Sequence, residues 1–197
     1  MAIVKPKKIV TEPKIKERLI ARAVMNHFGG FFGHNEGFVN VEFEWSERDL
    51  LVVTQAGFAY EVEVKISLAD WKKDQFKDKW HHSPTGMMTL PDGRQKYVGK
   101  LDRMKYIKKF YYAVPEKLIE KCPEFVPETA GLISIKWEDL RYWSGFQANV
   151  VRDAKAKKTE KLSERQMLRL FKKGHGKYYI RFINDMNKLE DPQTNLF

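Results

Sequence analysis

Apolar residues recur at helical spacing through "PKIKERLIARAVMNHFGG", where Ile15, Leu19, Ile20, Ala23, Val24 and Phe28 share one stripe. The stripe stops at Gly29-Gly30, a helix-ending signal. The period then changes to two. "FVNVEFEW" alternates, with Phe38, Asn40, Glu42 and Glu44 on one side and Val39, Val41, Phe43 and Trp45 on the other. That pattern predicts a strand with one core face. Ser46-Glu47 turns the chain into "DLLVV", and Thr54 to Gly57 turns it again into "FAYEVEVKI". Two hairpins in succession predict three antiparallel strands.

"SLADWKKDQFKDK" follows, with Ser67 and Asp70 as a capping box and Leu68, Trp71, Phe76 and Trp80 as a buried stripe. The polar stretch "HHSPTGMMTLPDGRQ" is too long for an idle connector and is expected to be a substrate-facing loop. "KYVGKLDRMKYIKK" is a candidate helix. "FYYAVP" reads as a short strand closed by Pro115, and "PEKLIEKC" as a short helix with Pro at its first position. "GLISIKW" and "YWSGFQANVV" predict two more strands, and "DAKAKKTEK" a basic linker. "SERQMLRLFKK" opens a helix on a second capping box, Ser163 with Gln166, and "KYYIRFINDMNKL" continues helically. The order helix, three strands, helix, strand predicts an α/β sandwich with a mixed sheet. Residues 1–12 read as a basic arm, 13–135 as the core and 136–197 as an extension packed on the same domain.

At 197 residues the chain suits one domain, and 43% hydrophobic with 13% aromatic residues excludes a disordered one. A formal charge of +10 points to polyanionic partners, nucleic acid first and an anionic membrane surface second. Cys122 is the one cysteine, which excludes an intrachain disulfide and a cysteine-based zinc site. A reducing, cytoplasmic setting is expected. No apolar run approaches ~18 residues, so neither a membrane span nor a signal peptide is expected.

The chemistry gathers in the second hairpin. Glu61, Glu63 and Lys65 alternate along one strand and so share a face, roughly 7 Å apart at about 3.3 Å per residue. Asp49 heads the neighbouring strand, where a hairpin can set it beside Glu63. Two adjacent carboxylates are costly unless a cation lies between them. Mg²⁺ or Mn²⁺ does this, taking one or two carboxylates and otherwise water and phosphate oxygens. A lysine on the same face can then stabilise developing negative charge. A charge-alternating, half-solvated sheet face is the plainer reading of the same residues.

Asp49, thirteen residues, then Glu63-Val64-Lys65, on that helix and strand order, resembles the PD-(D/E)xK nuclease superfamily and its restriction-endonuclease-like core. "RDLLVV", "YEVEVKISLADWKKD" and "FYYAVP" are similar to the MmcB-like DNA-repair branch. The resemblance covers about residues 13 to 135. Arg48 stands where the superfamily's name has Pro. The resemblance implies a metal-dependent deoxyribonuclease in a repair, recombination or phage setting. Asp49 and Glu63 would be Mg²⁺ or Mn²⁺ ligands, with the Val64 carbonyl, and Lys65 the catalytic lysine. Glu17 on the first helix is a further candidate ligand. Glu61 is expected to be a solvated neighbour, and Glu42 is ambiguous.

Lys72, Lys73 and Lys77 after the site, and Lys155, Lys157 and Lys158 in the basic linker, are candidate DNA-backbone contacts. His81-His82 read as loop residues near substrate, while His27, His34 and His175 carry no assignment. Trp71, Trp80, Trp137 and Trp143 are expected in the core rather than as base-stacking platforms. DNA is the expected partner, and a homodimer one candidate assembly. The alternatives are a restriction-type endonuclease, a catalytically silent DNA-binding module on the same fold, and an RNA-processing protein.

Overall fold

The structure is a computed structural model, and it describes residues 13–29, 35–43, 46–74, 87–89, 94–97, 105–121, 126–139 and 144–176. Six strands form one mixed sheet in the order β1 (Glu36–Phe43), β2 (Ser46–Val53), β3 (Ala59–Val64), β6 (Ile107–Pro115), β7 (Gly131–Asp139) and β8 (Ser144–Arg152). The pairs β3–β6 and β6–β7 are parallel and the rest antiparallel. Two short strands, β4 (Met87–Thr89) and β5 (Gln95–Tyr97), pair separately. The boundary expected at residue 135 therefore falls inside β7, and β8 continues the same sheet. Among the described residues no helix is long and apolar enough to cross a membrane.

Both faces of the sheet are covered. Helix α1 (Glu17–His27) buries Ile20, Ala23 and Val24 against Leu50, Val52, Val62, Val64 and Ala113. Each fully buried aliphatic side chain contributes about 1.5–3 kcal/mol. The helix ends where Gly29 takes φ +78, a conformation suited to glycine. On the opposite face Trp71 of α2 (Leu68–Asp74) and Leu170 of α3 (residues 164–176) pack with Leu51, Phe110, Tyr112 and Val114. Both capping boxes contribute to their helix starts. Ser67 Oγ accepts the Asp70 N–H at 3.1 Å, and Ser163 Oγ accepts the Gln166 N–H at 3.3 Å.

Three local expectations are corrected. The alternation in β1 breaks at Asn40, whose φ is 49. Phe38, Val41 and Phe43 all join one core cluster, because the left-handed residue between them switches the face. Asn accepts that conformation more readily than most residues, and the polar position hides the break in the sequence pattern. The candidate helix over residues 96–109 is instead β5 and the start of β6 in its described parts. The polar loop before it carries β4, so it is structured at residues 87–89.

Candidate active site

β2 and β3 pair from Val53–Ala59 to Leu50–Val62, and there the ladder ends. Just beyond it the Val64 N–H donates to Asp49 Oδ2 at 2.8 Å, so a side chain takes the place of a backbone partner. Asn40, the left-handed residue of β1, falls between the β1–β2 pairs Val39–Leu50 and Val41–Arg48, level with Asp49. The irregularity in both strands lets Asp49 turn its carboxylate toward β3. A strand residue projects its N–H and C=O to the same side, so the Val64 carbonyl is also directed toward Asp49.

Glu61, Glu63 and Lys65 share a face as expected, but it is not a half-solvated one. They are 1%, 5% and 2% exposed. In register, Glu61 lies beside Phe110 and Glu63 beside Tyr112. Trp71 covers Tyr112 with ring centroids 4.9 Å apart. Charges in such a place must be paired. Lys65 Nζ donates to Glu63 Oε1 at 2.7 Å, and Arg48 Nη1 to Glu61 Oε1 at 2.8 Å. The expectation of a solvated Glu61 is thus corrected: it is half of a buried ion pair. Nothing in its alternating pattern distinguished it from an exposed residue; the adjacent Arg48-Asp49 was the available hint.

Burial pushes the Asp49 carboxyl up to about 6, helped by the negative charges of Glu63 and then Glu17, and opposed by the Val64 hydrogen bond and Lys65. The helix residue Glu17 is therefore close enough to be felt at the site. Glu42 is not part of this group, since it pairs with Lys173 at 2.8 Å on the exposed side.

The residues fit a hard divalent cation. The negative charges of Glu63 and Glu17 act on Asp49 more than Lys65 offsets them, and a divalent cation would relieve that repulsion. Among the described residues no three or more His, Cys, Asp or Glu side chains cluster as ligands. Mg²⁺ needs no such cage, because it keeps water and takes only one or two carboxylates.

The pH dependence of the metal-free fold follows from Asp49. Its carboxyl ionises at 3.8 unfolded and about 6 folded, so between these values the folded chain holds the extra proton. The stability this group contributes is present below the unfolded value and is lost as pH rises through the folded one, to the extent of about 3 kcal/mol. Asp49→Asn keeps an acceptor for Val64 and carries no charge. In chelator it should therefore melt above the wild type at neutral pH. Thermal melts across pH 4 to 8 check this; a variant melting below wild type at pH 8 contradicts the account.

The expected DNA contacts divide. Lys72 and Lys73 lie on α2, directly after the site, while Lys77, His81, His82, Trp80 and Trp143 lie outside the described residues. Lys155, Lys157 and Lys158 are exposed but are not brought to the site. Their segment crosses the opposite end of the sheet: Lys155 N–H donates to Thr129 O at 3.0 Å, Lys157 N–H to Lys108 O at 2.9 Å and Leu162 N–H to Gly57 O at 2.8 Å. From Ala59, at the start of β3, to Lys65 is roughly 20 Å of extended chain. These lysines can meet DNA only well away from the carboxylates.

No protein-family model matches the chain, and no curated protein matches it. Among solved structures it is similar to the SPO1766 protein of unknown function from Silicibacter pomeroyi, at 18% identity and a TM-score of 0.48, covering 89% of each chain.

Proposed function

We propose that this chain is a metal-dependent deoxyribonuclease of the PD-(D/E)xK kind, hydrolysing phosphodiester bonds of DNA in a repair, recombination or phage setting. The observation that supports it most is the meeting of Asp49, Glu63 and Lys65 where β2 and β3 part, with Tyr112 beside Glu63 in the sheet. Asp49, Glu63 and the Val64 carbonyl would hold Mg²⁺ or Mn²⁺, with Glu17 as a further ligand. The bound cation supplies a Lewis acid for the phosphate and activates water. Asp49 is aimed by the Val64 N–H. Glu63 anchors the Lys65 ammonium and would offer its other oxygen to the cation, and Lys65 would face the charge that builds up on the phosphate. The burial of this row makes the lysine's charge count for more than it would in water.

The test is incubation with plasmid, linear and single-stranded DNA and with matched RNA, in Mg²⁺, in Mn²⁺ and in chelator. DNA should be cut only with metal, and RNA left intact. Mn²⁺ should also raise the melting temperature of the wild type, by mass action worth about 2.7 kcal/mol at a hundred times Kd. It should leave Asp49→Asn unmoved. Absence of cleavage with every metal and nucleic acid would end the reading.

A further inference from the structure

Beyond the carboxylates lies a groove of about 750 Å³, along the C-terminal ends of β3, β6 and β7. Its walls are apolar at Ile66, Pro115 and Trp137, and Lys14, Lys117 and Lys136 stand around them. All three lysines are exposed, and so is Ile66, at 42%. Glu116 approaches Lys136 at 3.8 Å, with both side chains more than half exposed. A pair so loose and solvated is weak, and the groove keeps a net positive character. Trp137 is half-buried, standing edge-on to Phe146 at 5.1 Å. A smaller recess of about 160 Å³ shares Pro13 and Trp137 with the groove and carries the positive lining on to Arg22.

The groove opens on the α1 face of the sheet and approaches the edge of the site, at Asp49, through two segments. Ile66 follows Lys65 directly, and Lys14 lies three residues before Glu17, whose charge reaches Asp49. Apolar and aromatic surface flanked by cations is the chemistry of a single-stranded nucleic-acid track, where bases lie on rings and phosphates meet lysines. A duplex keeps its base faces stacked inside and has no use for such a wall.

We infer that the groove binds single-stranded DNA, with phosphates on Lys14, Lys117 and Lys136 and a base against Trp137, leading the strand past the end of β3 toward Asp49. This deepens the nuclease reading and rests on it for the destination of the strand. Binding itself is measured without catalysis, by fluorescence anisotropy of a short oligothymidylate and a hairpin duplex of equal length, using the wild type in chelator. The single strand should bind at least about 10-fold tighter than the duplex at equal salt. The triple variant Lys14→Ala, Lys117→Ala, Lys136→Ala should flatten the log–log salt dependence by about 2, at ~0.7 for each single-strand phosphate that is no longer neutralised. Trp137→Leu should weaken binding about 5-fold or more because the base has no ring to stack on, and circular dichroism of each variant checks the fold. Equal affinity for both forms, or an unchanged salt slope in a folded triple variant, overturns the inference. Tight single-strand binding without any cleavage would sink the nuclease reading alone. Cleavage with wild-type affinity in the triple variant would sink the groove alone.

Discussion

Lys65→Ala is expected to slow metal-dependent DNA hydrolysis roughly 10²–10³-fold, by analogy with removal of one preorganised donor from a transition state. The side chain is 3% exposed and 2.7 Å from Glu63, so its ammonium is held without the freedom of a surface lysine. Water cannot take over its role at a buried position. Asp49→Ala and Glu63→Ala should fall further, to the background rate, because each removes a metal ligand and with it several kcal/mol of Lewis-acid stabilisation. DNA binding should survive in both and even tighten, since each loses a negative charge beside the phosphate. Single-turnover cleavage, measured below the melting temperature of every variant, decides the matter. If Lys65→Ala cuts at the wild-type rate in Mg²⁺, the mechanism is wrong.

The second large effect falls on stability. Glu61→Ala leaves Arg48 charged, 1% exposed and deprived of its carboxylate, which should cost about 3–5 kcal/mol. Arg48→Ala should cost a similar amount for the mirror reason. Replacing the two together, Arg48→Met with Glu61→Leu, should recover most of the loss, because apolar residues carry no desolvation penalty in that place. Urea denaturation of the three variants provides the comparison. Glu61 stands in the same row as Glu63, and a loss of activity in Glu61→Ala is expected to follow the unfolded fraction. A Glu61→Ala protein of wild-type stability with no cleavage would instead make Glu61 a member of the reacting group.

The hairpin that carries these residues was legible because strand periodicity is local: Glu61, Glu63 and Lys65 must share a face wherever β3 lies. The end of α1 and both capping boxes were legible for the same reason. What escaped depends on partners distant along the chain. Whether that face is wet or dry depends on residues such as Tyr112, which β6 sets beside Glu63, and Trp71, which packs on Tyr112. The end of the sheet that Lys155, Lys157 and Lys158 occupy is decided by hydrogen bonds to Thr129, Lys108 and Gly57. The parity switch at Asn40 is local but invisible in a polar–apolar string. The groove at Trp137 is assembled from segments around residues 14, 66, 115 and 136, and no single window contains it.

The segment from Asp153 to Leu162 also bears on the time course of folding. Its amides need carbonyls at Gly57, Lys105, Lys108 and Thr129, and Asp153 itself accepts from Lys109 at 2.6 Å and Tyr111 at 2.5 Å. Those partners come into line only after β3, β6 and β7 have lain down side by side. The segment is therefore expected to close late, and substitutions in it should give φ-values near zero. Strengthening it would leave the speed of folding nearly unchanged and slow the escape from the native state. Asp153→Ala, which removes the acceptor for Lys109 and Tyr111, is accordingly expected to speed unfolding at the end of the sheet farthest from the carboxylates while leaving the folding rate nearly unchanged.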